Sequence, residues 1–201
     1  MWTDLFNLSF IVSLLSATVR QAVPILYAAL GQIFTQKAGV LNLGVEGTLV
    51  VSSMVAFTVA FFSGSLFLAF LAAILTGLLW SLIMAWLSIS MNANQVIAGL
   101  GLNILGAGVA SYVFRIIFGV RSLPPQIEPF RPIRIPLLAD IPVIGPALFN
   151  NNILVYFCFL LIPVTWFLME RTTYGLRIKF VGEHPRAADA RGIRVGLIRY
   201  T

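Results

Sequence analysis

Residues 47–114 read GTLVVSSMVAFTVAFFSGSLFLAFLAAILTGLLWSLIMAWLSISMNANQVIAGLGLNILGAGVASYVF. These 68 residues contain no Asp, Glu, Lys or Arg. A helix crosses a bilayer in roughly 20 apolar residues, so the run is long enough for three crossings. A soluble helix keeps a polar face for water and has no use for so long an uncharged run. The rest of the chain agrees. Of its 201 residues 59% are hydrophobic and 10% charged, where a soluble domain carries about a quarter charged. The sequence is that of an all-α membrane protein.

Six transmembrane helices are expected. They run over Leu5–Val19, Ala22–Phe34 (short, with Pro24), Gly47–Phe62, Leu66–Leu87, Val96–Phe118 and Ile153–Met169. The third ends at Ser63-Gly64-Ser65, and Ser88 to Gln95 closes the fourth. Helices are expected because a membrane span must satisfy its own backbone hydrogen bonds. A barrel would alternate every second residue, and these runs do not. Met1 to Asp4 has no basic residue and no small-residue cleavage site follows, so the first apolar stretch is expected to be retained.

The sequence divides into a membrane region, 1–169, and a tail, 170–201. Within the first, Gly119 to Asn152 holds seven of the ten prolines: Pro124, Pro125, Pro129, Pro132, Pro136, Pro142 and Pro146. Proline at this density forbids a regular helix, which predicts a loop or short elements at one membrane face. The tail carries seven basic residues against Glu170, Glu183 and Asp189. Lys and Arg accumulate in cytoplasmic loops, so the tail is expected in the cytoplasm. Six crossings then put the N-terminus there too, and the proline-rich loop outside. That loop is itself basic, with Arg121, Arg131 and Arg134 against Glu128 and Asp140; the larger excess in the tail decides the orientation. The net charge of +6 is read as topology, and no nucleic-acid partner is expected.

One cysteine, Cys158, and one histidine, His184, exclude a disulfide within the chain and a multi-thiol or multi-histidine metal site. Cys158 lies in an apolar run and is expected to pack as a small hydrophobe. The sequence has no GxxxxGK[ST] loop for ATP, no HExxH and no GxSxG. The chain is therefore not read as an enzyme.

Three segments hold candidate functional residues. Lys37 to Thr48 reads KAGVLNLGVEGT, with Asn42 and Glu46 between apolar neighbours and Gly39, Gly44 and Gly47 as punctuation. A carboxylate at membrane depth is costly unless paired or wetted. The segment is either a broken helix lining a polar pathway or an interfacial loop with Glu46 in water. From Asn94, NQVIAGLGLNILGAGVAS puts Gly99, Asn103, Gly106, Ala107, Ala110 and Ser111 on one helix face. Small residues there serve helix packing, and the alternative is that Asn94, Gln95 and Asn103 approach a translocation path. In the tail, Pro185 to Arg191 is expected to form a short helix. Pro185 suits its first turn, Glu183 lies before its positive end, and Gly192 follows as the C-terminal cap. Ala187, Ala188 and Ala190 are expected on its surface. Such a knob suits a groove on another protein; two turns with three alanines supply too little apolar face for a membrane-surface helix. A bulky residue at Ala188 is accordingly expected to block docking.

AGVLNLGVEG (38–47), GEHPRAADARGI (182–193) and NQVIAGLGLNI (94–104) together resemble the permeases of ABC importers for ribose, simple sugars and nucleosides. The second segment is similar to that family's cytoplasmic coupling loop, with His184 where Asn is usual. The likeness covers nearly the whole chain. It implies a type II importer fold, with the coupling helix after the sixth span and about four more spans beyond it, so a truncated chain, a fragment or a split gene is expected. It implies that Gly182, Glu183, His184, Pro185, Arg186, Ala187, Ala188, Asp189 and Gly192 engage a separate ATPase subunit, with no cofactor bound by this chain. It further implies a second permease subunit, identical or paralogous. An extracytoplasmic binding protein, which Arg121, Arg131 and Arg134 could meet, completes the assembly. The expected location is the bacterial inner membrane, in contact with its lipid. Two other readings remain: a non-transporting scaffold, tolerant of change at Asn42 and Glu46, and an ion-driven transporter, which would want more intramembrane acids than Glu46.

Overall fold

A computed structural model describes residues 8–119, 125–136 and 144–200. The protein is all-α, and among the described residues five helices are long and apolar enough to cross a membrane. Helix α1 runs unbroken from Leu8 to Lys37 and joins the first two expected spans. Arg20 and Gln21, which lie between the two expected spans, are both good helix formers. Pro24 removes one hydrogen bond but stays inside the helix. The other spanning helices are α2 (Val45–Ser63), α3 (Leu66–Ala85), α4 (Gln95–Phe118) and α6 (Ile153–Arg171), close to the expected bounds.

The turns follow their residues. Gly64 takes the left-handed conformation (φ 64°) that ends α2, and its N–H donates to the Ala60 carbonyl. Ser65 then caps α3 by accepting from the Leu68 N–H. At its far end α3 widens into a π-helical turn, Trp86–Ser90. The Met91 N–H reaches back five residues to the Trp86 carbonyl (3.1 Å), a geometry frequent at functional positions in helices.

The chain forms two compact units. One consists of α1 up to Gly31 together with Phe130–Thr172. Its core is Val23, Val155 and Cys158, with Val19, Leu26, Tyr27 and Leu30 packed around them. Cys158 is fully buried. The Tyr27 hydroxyl donates to the Leu154 carbonyl at 2.7 Å. The described part of the proline-rich segment contains α5 (Ile144–Leu148) and a two-residue antiparallel pairing of β1 (Ile133–Arg134) with β2 (Asn150–Asn151). Asn151 is the pin of this cap: it is completely buried. Its amide donates to the Ala147 carbonyl (2.7 Å) and its oxygen accepts from Arg20 Nε (3.3 Å). Its backbone N–H donates to the Tyr156 hydroxyl, which donates in turn to the Ile133 carbonyl.

The second unit consists of Gln32–Pro129 and the tail from Thr173. Here α2 and α4 touch backbone to backbone. A Cβ on Gly47 would stand 2.5 Å from the Leu102 carbonyl oxygen, and one on Gly106 would stand 2.9 Å from Gly47 Cα. Only small residues permit that approach. The packed face of α4 carries Gly99, Leu102, Gly106 and Ala110, whereas Ala107 and Ser111, expected on it, are exposed. Toward the other end of the pair, Phe57, Phe61, Phe62, Phe114 and Phe118 interlock with ring centroids 4.8–6.2 Å apart. The tail folds into α7 (Thr173–Glu183), α8 (Pro185–Ala190) and α9 (Val195–Tyr200).

Candidate functional site

The α1–α2 connection is held almost entirely through its backbone. Gly39 (φ 79°) stops α1, with the Gly39 and Val40 N–H groups donating to the Gln36 and Thr35 carbonyls. Beyond it the irregular stretch to Gly44 belongs to no helix or ladder, so side chains satisfy its backbone groups. Gln95 Oε1 accepts from the Leu41 N–H at 2.7 Å. Gln32 Nε2 donates to the Asn42 carbonyl at 2.8 Å. Asn42 Oδ1 accepts from the Gly44 N–H at 3.0 Å, closing a local turn. Asn103 uses both ends of its amide: Nδ2 donates to the Leu43 carbonyl (2.9 Å) and Oδ1 accepts from the Gly47 N–H (2.7 Å).

The tail meets this connection directly. A Cβ on Gly182 would collide with the Lys37 carbonyl oxygen, and one on Gly39 would stand 3.3 Å from Gly182 Cα. Arg199 Nε donates to the Ala38 carbonyl at 3.3 Å. The next residue, Tyr200, shares a 2.5 Å hydrogen bond with Ser90 in the π turn of α3. Residues 37–47 and 182–200 thus form one junction, although more than 130 residues separate them in the chain.

Helix α8 projects from the junction. Pro185 occupies its first turn and His184 its N-cap position, without a side-chain cap bond. It ends one residue earlier than expected, at Ala190, in a Schellman closure. Gly192 (φ 79°) donates to the Asp189 carbonyl and Ile193 to the Ala188 carbonyl. Arg191 lies with its guanidinium 5.7 Å from the Phe180 ring centroid, a cation–π distance. Arg186, Ala187, Asp189 and Ala190 are exposed, as are Glu183 and His184. Ala188 is not on the surface as expected. It is fully buried, as are Ile178 and Val181 of α7, because the 3.6-residue period turns it inward between its two exposed neighbours.

The remaining candidates are scattered in role. Asn94 caps α4, accepting from the Val96 and Ile97 N–H groups at 3.0 and 3.3 Å. Glu46 is exposed in the first turn of α2, where the helix dipole favours an anion. Arg131 and Arg134 are exposed near or on β1, and Arg121 lies outside the described residues. Sequence reasoning missed Gln32, Ser90, Arg199 and Tyr200. Each binds a backbone carbonyl or a hydroxyl ten or more residues away, and leaves no pattern of spacing. The glycines at 39 and 182 were the visible trace of the junction.

A family model described as "Branched-chain amino acid transport system / permease component" matches residues 14–201. The chain is 37% identical over 194 residues to the guanosine ABC transporter permease protein NupQ of Bacillus subtilis, covering 92% of this chain and 60% of that protein. It is 37% identical over 197 residues to the putative glucose ABC transporter permease protein TsgC13 of Haloferax volcanii (96% and 58%). It is 30% identical over 186 residues to the nucleoside ABC transporter permease protein NupC of Lactococcus lactis (88% and 58%). The chain therefore spans less than two thirds of the length of these curated relatives. No solved structure matches it. With almost its whole length inside one family description, the chain belongs to the permease-component family of branched-chain amino acid transport systems.

Proposed function

We propose that this chain belongs to the transmembrane subunit of an ATP-driven importer whose cargo is a nucleoside or a simple sugar. The observation that carries the proposal is the junction. The exposed helix α8 is flanked by Gly182, whose backbone lies against Lys37 and Gly39, and the loop it touches is bracketed to α2 and α4. A displacement of α8 has a short route into the spanning helices through close backbone packing and hydrogen bonds. An ATPase subunit docks on α8 through Glu183, His184, Arg186, Ala187 and Asp189, and ATP binds there and not on this chain. Ala188 and Gly192 hold the shape of the knob. The Asn42–Glu46 loop, bracketed by Gln95 and Asn103 and followed by the Asn94-capped α4, forms the inner end of the path between two permease subunits. Arg131 and Arg134, with Arg121, receive an extracytoplasmic binding protein.

The relatives named for guanosine, nucleoside and glucose transport support that cargo class, and polar neutral solutes suit amide and backbone groups. With the basic tail in the cytoplasm, the connection it packs against is cytoplasmic as well. The five spans among the described residues then put the start of α1 on the outer face, opposite to the orientation that six crossings gave. The test is uptake of labelled guanosine and glucose by cells expressing the permease with its neighbouring transport genes. Uptake abolished by ATP depletion and spared by an uncoupler is expected. Loss with the uncoupler alone would replace this reading with ion-driven transport through Glu46, and no uptake of either class would leave the scaffold reading.

A further inference from the structure

We infer that Arg199 and Tyr200 are positioning residues that divide the movement of α8 between two separate places in the membrane unit; the inference rests on the importer reading above. They are neighbours on α9, and consecutive helix positions point about 100° apart. Arg199 takes the carbonyl of Ala38, in the α1–α2 connection, at 3.3 Å. Tyr200 takes Ser90, in the π turn ending α3, at 2.5 Å. Helix α8 is therefore anchored on both flanks. Before it, Gly182 rests on Lys37 and Gly39; after it, Arg199 returns to the residue between them, and Arg199 Nη2 stands 3.5 Å from the Cβ position of Gly39.

The two anchors differ in what they hold. The Ala38 anchor grips a connection that is already bracketed to α4 by Gln95 and Asn103. The Ser90 anchor grips a π turn, where the regular ladder is widened and the next residues leave the helix: Asn92 is left-handed (φ 50°) and the Ala93 N–H closes on the Leu87 carbonyl at 3.0 Å. A π turn followed by a left-handed residue can change its path with little loss of hydrogen bonding. Arg199 thus sets the position of α2, and Tyr200 sets the bend at the end of α3. Neither touches cargo or ATP.

The experiment uses the full permease assembled with its ATPase in lipid nanodiscs, in a Cys158→Ala background. Spin labels are placed in turn at Leu41 and Met91, both exposed, and their spectra are compared with and without ATP plus vanadate. In the otherwise native assembly both labels are expected to respond. In Tyr200→Phe the Met91 response is expected to fall roughly 3- to 10-fold, the loss that one net hydrogen bond corresponds to, while the Leu41 response persists. In Arg199→Gln the pattern is expected to reverse. Ser90→Ala is expected to match Tyr200→Phe, and the double variant to be no worse than either. Equal loss of both responses in each variant, or an additive double variant, would overturn the division of labour. Failure of the ATPase to bind the native permease at all would instead overturn the importer reading.

Discussion

At the scale of single residues, the junction turns on two glycines that do different work. Gly182 has no space: a methyl group there meets the Lys37 carbonyl, which is backbone and cannot rotate away. Gly192 has open space around it but a φ of 79°. Overpacking against a fixed neighbour costs about 1–3 kcal/mol, and a left-handed non-glycine residue costs about 1–2 kcal/mol. Gly182→Ala additionally pushes the tail off the Ala38 anchor. It is therefore expected to lower the detergent-solubilised unfolding temperature more than Gly192→Ala does. Equal shifts in thermal melts would mean that the Lys37 contact is loose. Both glycines stood out in the sequence, because motif and helix-cap logic point to them. Asn103 was legible as polar in an apolar span, but not as a bracket, since its partners are the backbone of residues 43 and 47. Arg199 was read only as one more positive charge.

At the scale of elements, sequence periodicity set the helices well where breakers bounded them and poorly where they did not. Ser63-Gly64-Ser65 and Asn94 carry their own capping chemistry, so α2, α3 and α4 were legible within a residue or two at most of their ends. Arg20-Gln21 carries none, and α1 runs through it. Helix α8 gave its ends but not its facing. Ala187 and Ala188 are identical in sequence terms, yet one is exposed and the other fully buried. Two substitutions separate the consequences. Ala187→Trp is expected to leave the melting temperature unchanged and to abolish co-purification of the ATPase. Ala188→Trp is expected to destabilise the tail itself, by about 1–3 kcal/mol or more, and so to lose both. Normal co-purification of Ala187→Trp would move the docking surface away from α8.

At the scale of the whole molecule, charge segregation determined the class. The expected six spans roughly match, the first two being joined in α1 to leave five among the described residues. Two compact units, each drawing on α1 and on the C-terminal half, have no signature in composition. The proposed topology depends on the crossing count, and the count depends on whether residues 8–37 cross once, as one helix, or twice. Single cysteines at Phe62 and Arg131 are expected to react with a membrane-impermeant maleimide in intact cells. Cysteines at Met91 and Arg186 are expected to react only after the cells are opened. One at Leu14, near the start of α1, is expected on the proposed topology to behave like Phe62. Protection of Leu14 together with labelling of Phe62 would restore six crossings.

The contact of Gly39 with Gly182 also sets a clock. Translation at roughly 5–20 residues per second delivers the second partner about 7–30 s after the first. In the later part of that interval, once Phe118 has been made, α2, α3 and α4 are complete. The connection before α2 still lacks its contact with the tail and relies on local bonds and on the amides of Gln32, Gln95 and Asn103. A nascent chain stalled before residue 182 would expose the peptide bonds around Lys37 to proteases, and completing the tail would hide them. The junction therefore reports, during biosynthesis, that the chain has been made at least as far as the start of α8, the helix proposed above for docking.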